Sequence, residues 1–217
     1  MEMHNAQFLA EQVELSELLL SGQSTMFEPQ ELPGRYGRVV KALDHVLEVV
    51  DCTSVLVGGW AVWRHGYHGR MTQDLDIVLP ADRIDEFLRV ASVSGFQVIP
   101  VQSGRWPKVI HNKTDIKVDI LPAGARPGTK SNPAPTTIPH PSEIGGTSTK
   151  LRYLPLPFLV ELKLAAGRGR DEADVIELMR VNMDQTELVL QHLSTVHRDY
   201  VTKFVRLVER AKDQEDE

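Results

Sequence analysis

The stretch that most constrains the fold is Asp74–Pro80, DLDIVLP, which alternates polar and apolar residues and stops at a proline. Alternation at period two marks a half-buried strand, and proline ends it because it has no N–H for the ladder. Residues i and i+2 of a strand share a face, so Asp74 and Asp76 project together while Leu75 and Ile77 enter the core. Two carboxylates roughly 6–7 Å apart along a strand repel each other unless a cation lies between them. Mg²⁺ meets that need: it takes oxygen ligands, usually one or two carboxylates plus substrate phosphates. A bare DxD is more often a solvated strand face, so the pattern needs support from elsewhere.

Two other segments supply it. DIKVDIL reads as a second strand with Asp115, Lys117 and Asp119 on one face and Ile116, Val118 and Ile120 on the other. Paired beside the first strand, it brings Asp119 to the same edge as a third carboxylate. Upstream, SVLVGG reads as a short buried strand ending at Gly58-Gly59. Such a turn lets backbone approach a phosphate closely, although a glycine pair alone is also an ordinary tight turn.

Around these segments the pattern predicts helices over 5–21, 36–50 and 82–93, strands at FQVIP and KVIHN, and helices over 156–166, 171–181, 184–194 and 197–211. Phe8, Gln12, Leu15, Leu18 and Leu19 share the face of the first helix, and Val39, Val40, Leu43, Val46 and Leu47 that of the second. Residues 122–150 hold six prolines and read as one long loop, mobile until it orders against a ligand. The expected fold class is α/β (α+β), a mixed sheet flanked by helices with a helical C-terminal part. Its expected units are an N-terminal helix and linker (1–35), a catalytic core (36–155) and a C-terminal helical region (156–217).

Charge refines the picture. The net charge is -6, yet residues 103–170 carry eleven Lys or Arg against four Asp or Glu. A basic middle suits an anionic ligand such as a triphosphate or RNA phosphate. The acidic end DQEDE reads as a frayed tail. One cysteine excludes an internal disulfide and a cysteine zinc cluster. The N-terminal segment is acidic rather than signal-like, and no run of about 18 apolar residues occurs, so a cytoplasmic protein without membrane contact is expected.

Taken together, Gly58-Gly59, Arg70, Thr72, Asp74, Asp76 and Lys117-Val118-Asp119 resemble the polymerase-β-like nucleotidyltransferase superfamily. The segment LPFLVELKLAAGRGRDEADVIEL, with Lys163, Asp171 and Asp174, is similar to its later lysine and aspartate motifs. The likeness spans roughly residues 55–178 and is greatest to AbiEii/AbiGii-type toxin nucleotidyltransferases. Aminoglycoside nucleotidyltransferases are more distant. The chain departs from the pattern where the superfamily often has a serine or other small hydroxyl residue after the glycines, since Gly59 and Trp60 stand there.

The resemblance implies a magnesium-dependent enzyme, with Mn²⁺ as an alternative, that moves an NMP from an NTP to an acceptor hydroxyl and releases pyrophosphate. Asp74, Asp76 and Asp119 are then the catalytic and metal-binding carboxylates. Gly58, Gly59, Arg70, Thr72, Lys117, Lys163 and Asp174 are the nucleotide-binding candidates, with Asp171 held more weakly. Lys163 is expected on an exposed helix margin, its stem along apolar surface and its ammonium in the cleft. RNA is the expected acceptor and an antitoxin protein an expected partner. The alternatives are a small molecule or protein acceptor, or a non-catalytic nucleotide-binding module. His65 and His68 read as loop residues rather than a zinc site. Trp60, Trp63 and Trp106 are candidate base platforms whose default is core packing.

Overall fold

The computed structural model describes residues 2–100, 105–128, 133–144 and 149–213, with side chains from Phe8 onward. The acidic end at 214–217 lies outside the described residues. Helices α1 (Glu2–Leu20) and α2 (Gly34–Val50) lead into β1 (Ser54–Val57) and the short α3 (Gly58–Arg64). Then come β2 (Leu75–Leu79), α4 (Ile84–Val93), β3 (Phe96–Ile99), β4 (Lys108–His111), β5 (Lys117–Pro122) and β6 (Leu151–Tyr153). Four helices finish the chain: α5 (Leu156–Ala166), α6 (Gly169–Val181), α7 (Thr186–Val196) and α8 (Arg198–Asp213).

The strands form one mixed sheet in the order β3-β4-β5-β2-β1-β6. β2 runs antiparallel to β1 and parallel to β5, so it is a central strand. Every residue of β1 is buried, and Leu75, Ile77, Val78 and Leu79 of β2 are fully buried. A central strand covered on both sides reads as a continuous apolar run, so Asp76 stands out within β2. Val39, Val40, Leu43, Val46 and Leu47 of α2 are fully buried, as the helical period requires. This is the α/β architecture that the sequence pattern predicts.

Three local expectations are corrected. β5 starts at Lys117, because Asp115 has a left-handed backbone (φ 56°) and its N–H bonds the His111 carbonyl at 2.9 Å. Asp115 therefore belongs to a tight turn and not to the Asp119 face. β6 was not foreseen; it pairs parallel to β1 and closes that edge of the sheet. The Pro-rich segment is not a free loop over its described length. The Gly124 N–H bonds the Ile138 carbonyl and the Ile138 N–H bonds that of Ala125, both at 2.8 Å. Ala134, Ile138 and Ile144 are buried, and Pro141–Glu143 forms a 3-10 turn. Apolar anchors and paired backbone groups satisfy the segment without a sheet ladder.

Candidate active site

The register of two neighbouring strands builds the site. Asp76 of β2 and Asp119 of β5 are partners across the parallel pair. Asp74 lies one residue before β2, and all three carboxylates line one cleft of about 890 Å³. Burial, then the charges of Asp119 and Asp74, push the Asp76 carboxyl up to about 6. Burial also raises Asp74, with Asp119 adding to it and Lys117 and Lys108 opposing. Like charges held together in a partly dry cleft account for both shifts.

The glycine pair makes room for the protein's own side chains. Gly58 adopts φ +66°, and a Cβ there would lie 1.9 Å from Asp76 Oδ2; a Cβ on Gly59 would lie 2.3 Å from Thr72 Oγ1. Gly58 and Thr72 line the cleft, whereas Gly59 does not. Replacing Gly58 with Ala combines a disfavoured backbone with eviction of the Asp76 carboxylate. Gly58→Ala is expected to cost about 1–3 kcal/mol of stability in denaturant unfolding. Under the functional reading below, it should also remove most activity.

The loop carrying Arg70, Thr72 and Asp74 is held from several directions. The Thr72 N–H bonds Gln12 Oε1 of α1 at 3.1 Å, and Trp63 Nε1 donates to the Arg70 carbonyl at 2.6 Å. The Tyr36 hydroxyl donates to the Thr72 carbonyl at 3.3 Å. The guanidinium of Arg70 ion-pairs with Asp174 while its Nε is a buried donor without a protein partner. Arg70 also lines the cleft.

Lys163 departs from expectation. It is 5% exposed, between Asp174 Oδ2 at 2.5 Å and Asp171 Oδ1 at 3.3 Å. Burial lowers its pKa, and the charge of Asp174 works against that shift. Asp171 is itself gripped by Arg168, whose Nε lies 2.6 Å from Oδ2. Lys163 is thus the centre of a buried ion network joining α5 to α6, not a lysine lying along a surface. Lys163 and Asp171 still line the cleft, whereas Asp174 stands behind it and Lys117 is an exposed residue outside it.

The tryptophans separate in the same way. Trp60 packs against Tyr36 with ring centroids 4.4 Å apart and against Trp63 at 5.6 Å, both in tilted contacts, and both indoles are buried in the core. They are not available to a base, whereas Trp106 is exposed at the cleft. His65 Nε2 meets the Leu154 carbonyl at 2.8 Å and His68 Nε2 the Trp63 carbonyl at 3.1 Å. Burial lowers both pKa values, as expected of neutral packed histidines.

One site residue went unnoticed in the sequence. Lys108 of β4 faces Asp119 across the antiparallel pair, and its Nζ is 2.7 Å from both carboxylate oxygens. Its only sequence signal is a lysine at the start of an alternating strand. Among the described residues no group of three or more His, Cys, Asp or Glu side chains is assembled to hold a metal ion. The all-oxygen pair Asp74 and Asp76 nevertheless suits a hard cation that takes only one or two carboxylates from the protein.

No family model matches the chain. No curated protein matches it either. Solved structures similar to it include the antibiotic-resistance factor ANT(2'')-Ia, at 16% identity over 82% of this chain and 94% of that one, with a TM-score of 0.45. The lincosamide antibiotic adenylyltransferase LnuA, with lincomycin bound, is similar at 16% identity over 66% and 96%, TM-score 0.46. An antigenic nucleotidyltransferase-like protein from Paracoccidioides brasiliensis is similar at 14% identity over 82% and 89%, TM-score 0.49.

Proposed function

We propose that the chain is a divalent-metal-dependent nucleotidyltransferase whose acceptor is a hydroxyl of RNA. The observation that carries the reading is the meeting of Asp74, Asp76 and Asp119 in one cleft through the Asp76–Asp119 register. Asp74 and Asp76 would hold Mg²⁺ or Mn²⁺, which supplies positive charge against the nucleotide's phosphates. Asp119 accepts the hydrogen bond of the acceptor hydroxyl and takes its proton. The freed oxygen forms a bond to the α-phosphorus in line, the bond to the bridging oxygen breaks, and pyrophosphate leaves with that electron pair. Arg70 is suited to the anionic phosphates because it lines the cleft as a permanent cation.

The rim is what supports RNA as the acceptor. Arg126 and Arg170 are exposed around the cleft with Trp106, beside Arg168, whose charge is paired with Asp171. A cationic rim with an exposed indole favours an anionic, base-bearing acceptor over a polycationic small molecule. Incubation with each α-labelled NTP, Mg²⁺ and total RNA should transfer label to RNA from at least one nucleotide. Label appearing only on protein or small molecules would move the acceptor assignment. No transfer to RNA, protein or small molecules, with any of the four NTPs, would overturn the enzymatic reading.

A further inference from the structure

We infer that Lys108 is a positioning residue that stands in for a second metal ion at Asp119, so that the centre takes one divalent cation and not two. The inference rests on the reading of Asp74 and Asp76 as the metal-binding pair. Its basis is a contact fixed by sheet register. Lys108 and Asp119 are cross-strand partners on β4 and β5, which places both side chains on one face within reach of each other. The ammonium lies 2.7 Å from Oδ1 and 2.7 Å from Oδ2. A cation equidistant from both oxygens occupies the place from which a divalent ion would chelate the carboxylate.

The surroundings agree with this division of labour. Asp119 lines the cleft and Lys108 does not. A carboxylate has about four lone-pair sites, and the ammonium uses one on each oxygen. The others remain for an acceptor hydroxyl. Among the described residues, the fixed ammonium contact is to Asp119, and neither Asp74 nor Asp76 has an ion-pair partner of this kind. The pair without a resident cation is where an ion is needed.

The test counts bound Mn²⁺ by electron paramagnetic resonance in the full chain, with circular dichroism as the folding control. The wild type should bind one Mn²⁺ per chain. Lys108→Met, which keeps the stem and removes the charge, should bind two. Lys108→Arg, whose fork can still span both carboxylate oxygens, should remain at one. Equal stoichiometry in the wild type and Lys108→Met would overturn the inference. One ion in each would leave the metal reading of Asp74 and Asp76 standing, whereas none in either would overturn that reading as well. Lys108 is partly exposed, so its loss should leave the fold intact. If Lys108→Met did unfold, two ions in the wild type or in Lys108→Gln without a gain over the wild type would equally contradict the assignment.

Discussion

Lys163→Ala is expected to lower the unfolding free energy by about 2–4 kcal/mol. For a chain of this size that corresponds to a fall of about 5–10 °C in melting temperature. The lysine neutralises two carboxylates that are themselves buried, Asp171 at 0% and Asp174 at 3% exposure. Breaking a buried ion network from one side strands charge away from water, which costs more than the intact network contributes. Asp171 keeps Arg168 and Asp174 keeps Arg70, so the loss stays below that of a fully unpaired charge. Guanidinium unfolding of the two chains checks this. A change under 0.5 kcal/mol would mean that Lys163 is the surface residue the sequence suggested. Activity should fall too, because the network links α5 and α6 to the Arg70 side of the cleft.

Asp76→Asn should act on stability in the opposite direction. Its folded carboxyl titrates near 6, against an ordinary value of 3.8. A proton is therefore held more tightly in the folded chain than in the unfolded one. The stability this confers is complete below about pH 4 and is lost as pH rises through about 6. Without metal, the wild type should thus be less stable at pH 7.5 than at pH 5 by an amount to which Asp76 contributes about 1.4 kcal/mol. Asp76→Asn has no charge to bury, so at pH 7.5 in EDTA it should be the more stable chain and should lack this part of the pH slope. Mn²⁺ should stabilise the wild type and not the variant. Equal stability at pH 7.5 and a shared pH slope would contradict the buried-charge account.

How much of this was legible in the sequence depends on whether the determining contact was local. Asp74, Asp76 and Asp119 were readable because strand alternation fixes their face and apolar neighbours fix the core. The C-terminal helices were readable from their period. Lys163 was misjudged because a helical wheel shows a lysine beside an apolar stripe, but not the two aspartates that the next helix brings over it. Lys108 was missed because its meaning comes from pairing between β4 and β5, a long-range register. β6 was missed because three residues after a Gly- and Pro-rich stretch give too little alternation to read. The glycine pair was found for a generic reason, whereas the specific one is the Asp76 carboxylate packed against Gly58.

Pyrophosphate release is the most direct measure of the central claim, that these carboxylates support nucleotidyl transfer. It should be followed for the wild type and Asp76→Asn with RNA and the NTP that labels it best, with and without Mg²⁺. The wild type should release pyrophosphate in step with label transfer, and only with the metal present. The folded Asp76→Asn chain should be slower by about a thousandfold, near 4 kcal/mol of transition-state stabilisation. Transfer by the variant within tenfold of the wild type, or metal-independent transfer by the wild type, would contradict the account.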